Sequence, residues 1–295
     1  MTIVLFHSAD RLPNYLEYTF KQIRMFNPDV NVYFLTDTQH LSNPLFTQYY
    51  IKAVQMNKYH TDKISKFRLF YKHPSSSFWM ITALRLIYVE EFMRQENLTN
   101  IYFFENDVLL YYSLKEHHQK FLDIYRKDSM AITEGGPDKC MTGFMFIPDW
   151  LLLAHMTQWF VDSLKRLGER GIMIKYKMDM VNEMTLMKAY MHEEEKLHNI
   201  PTMPFGIFYV ASEFNSIFDS AGWGQFVGGT LDEGPGAKPQ DHYIGQMLAK
   251  NPDFDVVWKR DTEQRNIPYF KFNGIEVKIN NLHIHSKNLE KYVSK

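Results

Sequence analysis

The stretch "IYFFENDVLLYY", Ile101 to Tyr112, sets two carboxylates, Glu105 and Asp107, two positions apart between apolar runs. Residues two apart on an extended backbone face the same side, so both side chains can converge on one cation. Oxygen ligands suit Mg²⁺ or Mn²⁺, which take one or two carboxylates and fill the remaining positions with phosphates and water. The same triplet also reads as a polar turn between a strand and the next element. A second pair stands in "LHIHSK", where His283 and His285 are again two apart on an expected strand, with Lys287 on the same side if the extension continues. Imidazole can ligate Mn²⁺, and a nearby lysine can meet a phosphate. The plain alternative is a surface strand with two ordinary histidines.

The elements that must bring these groups together follow from pattern. "TIVLFHS" reads as a buried strand, "PNYLEYTFKQIRMF" as a helix starting at its proline, and "NVYFLTD" as a second strand, which together make a β-α-β unit. A helix is expected after Ser75, Ser76 and Ser77, any of which can cap it, with Met80, Leu84, Ile87, Tyr88 and Phe92 on one face. It leads into the strand Ile101 to Phe104. "MAIT" from Met130 and "FMFI" read as further strands, flanking the glycine-containing "EGGPDKCMTG". Helices are expected from about Asp149 to Leu167 and from Asp179, as cap, to about His198. Residues 200–240 are rich in glycine, proline and aromatics, the composition of a functional loop. "IEVKINNLHIHSK" returns to strands.

Composition bounds the rest. The 295 residues are 45% hydrophobic and 23% charged, as in a soluble globular protein, and 16% aromatic, which suits a large core and aromatic platforms on a binding cleft. The 33 basic and 34 acidic residues leave a net charge of -1, which argues against a nucleic-acid partner. One cysteine, Cys140, excludes an internal disulfide framework and a cysteine zinc site. The first apolar run, Ile3 to Phe6, is too short for a signal peptide or a membrane span, so a soluble, cytoplasmic protein is expected. The "NLT" triplet at Asn97 is then an unused glycosylation acceptor.

The β-α-β start, an arginine-bearing helix entering a strand, the acidic motif at that strand's end and a late histidine followed by lysine together resemble the GT-A-fold nucleotide-sugar glycosyltransferases. The similarity in order spans about Thr2 to Lys287. It implies an α/β fold, a Rossmann-type mixed sheet flanked by helices in one compact domain, with residues 1–112 as the nucleotide-binding half and 113–295 as the acceptor half. The superfamily's Asp-x-Asp motif, which binds a metal bridging the donor's diphosphate, falls on Glu105, Asn106 and Asp107, with glutamate replacing the first aspartate. The metal-ligand histidine would be His285 or His283, and the phosphate-binding lysine Lys287.

The resemblance further implies a donor of the UDP- or GDP-sugar type, a glycan or small-molecule acceptor, and hexosyl or pentosyl transfer. Asn106 would meet the ribose or the sugar, or serve as a turn residue. Arg85 would reach the donor, or be a surface ion-pair residue. His7, Ser8 and Asp37 would cradle the nucleoside, or be loop and capping residues. Thr142 and Gly143 would lie near the sugar.

An inverting enzyme needs a carboxylate base. Asp241 in "PQDHYIGQML" looks like the Glu-Asp-x-x-x-Gly segment of several inverting families, with Asp241 and Gly245 matching and Gln240 departing; a helix cap is its other reading. Asp219 in "FDSAGWGQFVGG" is the rival base, in a loop whose Trp223 can lie against a sugar face. A retaining enzyme needs neither as a base. Two other classes share the pattern: a metal-dependent nucleotidyltransferase or phosphohydrolase, and a carbohydrate-binding protein without transferase activity.

Overall fold

The computed structural model describes residues 1–72, 77–125, 128–202, 213–229, 245, 248 and 250–295. Strand β1 (Thr2–Phe6) lies between β2 (Asn31–Thr36) and β4 (Ile101–Phe103), parallel to both. With β3 (Lys52–Gln55), β6 (Met130–Gly136), β7 (Lys139–Ile147) and β8 (Leu197–Asn199) they form a seven-stranded sheet in the order β3-β2-β1-β4-β7-β6-β8. β7 runs against both its neighbours, and β8 pairs in parallel with β6, so β7 alone is reversed. Strand order turns back between β1 and β4, and the crevice beyond their carboxyl ends is where a doubly wound sheet binds ligands.

Side-chain alternation sorts the sheet into two cores. Val4, Ile101 and Phe103 face α4 (Ser77–Gln95), α6 (Trp150–Tyr176) and α7 (Glu183–Glu193), while Ile3, Leu5 and Tyr102 face α1 (Leu16–Phe26) and α5 (Leu114–Tyr125). A smaller sheet, in the order β10-β11-β12-β9, joins Asp255–Arg260, Asn266–Phe272, Ile275–Ile279 and Ser216–Ile217. Its core holds Trp223, Phe270 and Leu282. A separate antiparallel ladder pairs β5 (Val108–Leu110) with β13 (Asn281–His283), placing His283 opposite Val108.

Several boundaries differ from the sequence reading. The first helix begins at Leu16 rather than Pro13, and the strand before the acidic turn stops at Phe103. "FMFI" belongs to a nine-residue strand that hairpins with β6. The long helix continues past Leu167 to Tyr176, with a break at Gly168, whose φ of 63° suits glycine. The helix expected from Asp179 starts at Glu183, capped by Asn182 and Thr185, and ends at Glu193 because residues 197–199 pair with β6. Ser75 and Ser76 lie outside the described residues. No helix among the described residues is long and apolar enough to cross a membrane.

One buried histidine in this framework yields a pH prediction. His117 on α5 is 4% exposed, its Nε2 meets Ser216 Oγ at 3.2 Å, and its ring lies against Phe214 and Phe218. Burial pushes its pKa down to about 4, and the nearby Glu116 does not offset this. Unfolded chain therefore takes up this proton near pH 6.5, while the fold resists it until about 4, so stability is full above 6.5 and falls as pH drops through that window. The loss from this group is expected to reach about 3 kcal/mol. Urea unfolding at pH 7 and 4.5 should show a smaller difference for His117→Gln than for the unsubstituted chain. Equal differences would discard the assignment.

Candidate functional site

Alternation continues past the end of β4 and divides the acidic turn. Glu105 goes to the side of α4 and α7, Asn106 to the side of α1, and Asp107 leads into β5. Glu105 Oε1 receives Arg85 Nη2 at 3.1 Å and the Thr142 hydroxyl at 2.8 Å. Arg85 also donates to Thr142 Oγ1 and meets Glu183 Oε1 at 3.4 Å. Arg85 is thus a buried residue between two carboxylates rather than a surface ion-pair partner, and its Nε has no partner among the described residues. Asn106 is fully used: Tyr15 donates to its Oδ1 at 2.9 Å, and its Nδ2 donates to Phe6 O and His7 Nδ1. His7 Nε2 then donates to Arg11 O, with its ring against Phe34.

The β5–β13 ladder delivers the imidazole. Ile284 N donates to Asp107 O at 3.0 Å, which locks the two segments together beyond the last strand pair. His283 Nδ1 faces the Ser220 carbonyl at 2.7 Å; since a carbonyl can only accept, Nδ1 carries a proton. Nε2, 3.2 Å from Asp107 Oδ2 and 3.8 Å from Glu105 Oε2, is the atom left to bind a proton or a cation. Glu105, Asp107 and His283 each offer one ligand atom, and all lie within 4.8 Å of one another.

The charges in this cluster act strongly on one another. Burial would lift the Glu105 carboxyl, but Arg85 and then His283 outweigh it and hold the group at about 2. Asp107, 1% exposed, is likewise held well below the carboxylate range against burial, by His283 and by its ion pair with Lys287. Burial lowers His283, yet Asp107 and Glu105 raise it to about 9. Two carboxylates and an imidazole nitrogen with a fixed tautomer are a donor set that fits a borderline-hard divalent ion such as Mn²⁺.

His285 stands outside this cluster. β13 ends at His283, so the two histidines do not share a strand face; their rings are 6.1 Å apart, and burial lowers the pKa of His285. Asp37 follows β2 and Ser8 follows β1, at the same sheet end as His7. Asp219 is 1% exposed and accepts from the backbone amides of Trp223, Gly224 and His283, which makes it a staple between the helix Gly222–Gly228 and β13. Trp223, which the sequence left able to lie against a sugar face or serve a plain structural loop, is fully buried with its ring 4.6 Å from Phe270. Asp241 lies outside the described residues.

Glu183 is the buried acid that the sequence reading missed. The pattern "NEMT" signals a helix start and so a carboxylate in the first turn, but not its burial against Arg85. Beside Lys287 opens a cavity of about 320 Å³, lined by Asn14, Tyr15, Tyr18, Asn288 and Lys291 among others. A larger one, about 570 Å³, lies between α6 and the end of α7 and includes none of the clustered residues.

No family model and no curated protein matches the sequence. Among solved structures, the apo form of mouse xyloside xylosyltransferase 1 is similar over 72% of this chain and 92% of its own, with a TM-score of 0.51 at 9% identity. The apo form of the glycosyltransferase GlyE from Streptococcus pneumoniae gives a TM-score of 0.44 at 14% identity, over 72% of this chain and 49% of its own. A cytidylyltransferase from Leptospira borgpetersenii gives 0.42 at 12% identity, over 70% and 77%.

Proposed function

We propose that this chain, whose fold is that of the GT-A glycosyltransferases, is a metal-dependent glycosyltransferase. It moves a monosaccharide, hexose or pentose, from a UDP- or GDP-type sugar to a hydroxyl of a glycan or small acceptor. The observation that carries the reading is the convergence of Glu105, Asp107 and His283 at the carboxyl end of β4, beside the point where strand order reverses. These three side chains would hold Mn²⁺ or Mg²⁺, and the cation would supply charge neutralisation for a leaving diphosphate.

The protein's own groups do the rest. Ser220 O fixes the His283 tautomer. Lys287 places a positive charge beside Asp107, at the mouth of the 320 Å³ cavity, where phosphate oxygens can be met. His7, Ser8 and Asp37 sit at the ends of β1 and β2, where they would meet the nucleoside, and Asn106 would support them by fixing His7. If the reaction inverts configuration, Asp241 is the proposed base, because the acceptor capacity of Asp219 is directed at backbone amides. Residues 1–112 would form the nucleotide half and 113–295 the acceptor half, and one cysteine suits action in the cytoplasm.

A thermal-shift screen of nucleotide sugars with and without Mn²⁺ tests the reading. One donor is expected to raise the melting temperature when the metal is present, since a ligand of the native state stabilises it. Product analysis then separates sugar transfer from nucleotidyl transfer or binding alone. No response to any donor, with or without metal, counts against the proposal.

A further inference from the structure

Six side chains form a row in which acidic and basic groups alternate: Glu183, Arg85, Glu105, His283, Asp107 and Lys287. Successive separations are 3.4, 3.1, 3.8 and 3.2 Å, and the row closes on the ion pair between Asp107 and Lys287. Glu183 is the far end, 3% exposed, and is not one of the three residues that offer the clustered ligand atoms. Its Oε1 faces Arg85, and its Oε2 accepts the Thr82 hydroxyl at 2.8 Å. Arg85 and Thr142 both engage Glu105 at Oε1, which leaves Oε2 turned toward His283 and Asp107.

We infer that Glu183 is a positioning residue for the cation site: it holds the Arg85 guanidinium against Glu105 Oε1 and shares its charge. A buried guanidinium paired with Glu105 alone would offset that carboxylate almost completely and repel a divalent ion nearby. Paired with two carboxylates, it orients Glu105 and leaves net negative charge for a ligand oxygen to use. Outer-shell partners of this kind change metal affinity by about 10- to 100-fold when removed. The inference rests on the proposed cation site but adds a residue and a role to it. A merely structural Glu183, supplying an acid to the first turn of α7, would affect stability and leave affinity alone.

The test measures free Mn²⁺ by electron paramagnetic resonance during titration of the full chain. Glu183→Gln is expected to weaken Mn²⁺ binding by about 10-fold or more. Glu91→Gln is the control, since Glu91 is also a buried acid on an arginine, Arg94, but has no link to the row; its affinity should match the unsubstituted chain. Unchanged affinity in a folded Glu183→Gln variant, or an equal loss in both variants, overturns the role of Glu183. If Glu183→Gln does not fold, Glu183→Asp decides: it keeps the charge but draws the carboxylate back from Arg85 by a methylene, and unchanged affinity there rejects the positioning role. An unsubstituted chain that binds no Mn²⁺ instead removes the cation site, and this role with it.

Discussion

Asp107→Asn is expected to abolish Mn²⁺ binding and to lower turnover by roughly 10³-fold or more. A divalent ion contributes several kcal/mol of charge stabilisation to such a transfer, and each 1.36 kcal/mol is tenfold in rate. The amide keeps the shape of the side chain and removes the charge that His283 and Lys287 share. Breaking a buried ion pair by removing one partner typically costs about 3–5 kcal/mol. Here the cost should fall below that range: Lys287 has a side chain 28% exposed and can turn to solvent, and His283 can shed its proton once its acidic partner is gone. The variant should therefore fold. Melting curves in chelator and in Mn²⁺ should coincide for Asp107→Asn and separate for the unsubstituted chain. A variant that retains metal-dependent stabilisation and turnover would sink both the site and the proposed function.

How much of this site was legible beforehand depends on how local each signal is. The two-residue spacing in "IYFFEND" was enough to direct Glu105 and Asp107 to one side, because strand parity needs no tertiary information. The late imidazole and lysine could be named as partners of the acids, but choosing His283 over His285 required knowing that β13 ends at His283. That end is set by pairing with β5, a three-residue strand too short to separate from the turn before it.

The burial of Trp223 and Asp219 was hidden for a related reason. A glycine-rich segment reads as an open loop, yet this one packs a tryptophan into the core of the second sheet and aims an aspartate at three amides. Glu183 was invisible because a carboxylate in a helix's first turn is usually a solvated cap. Its burial depends on Arg85, 98 positions earlier in the chain.

The glycine at position 224 is expected to be as intolerant as the proposed metal ligands, though it offers no ligand atom itself. A Cβ added there would lie 1.8 Å from the carbonyl oxygen of His283 and 2.4 Å from its carbonyl carbon, so backbone must move rather than a flexible side chain. Movement is opposed from both sides. Gly224 N and His283 N both donate to Asp219 Oδ2, at 2.8 and 3.0 Å, and His283 is paired with Val108. Gly224→Ala must therefore break the Asp219 staple or slide β13 along β5, a cost of about 3 kcal/mol or more, at the upper end of overpacking effects. Either route displaces the His283 ring, so weaker Mn²⁺ binding should accompany the loss of stability. Gly274→Ala is the matched control: its φ of 78° strains an alanine, but nothing lies within 4 Å of the added carbon. That change should cost about 1–2 kcal/mol and leave metal affinity untouched. Urea unfolding and Mn²⁺ titration of the two variants distinguish close backbone contact from local strain. A Gly224→Ala protein that unfolds with the unsubstituted chain and binds the metal as well would mean that the helix Gly222–Gly228 does not press on β13.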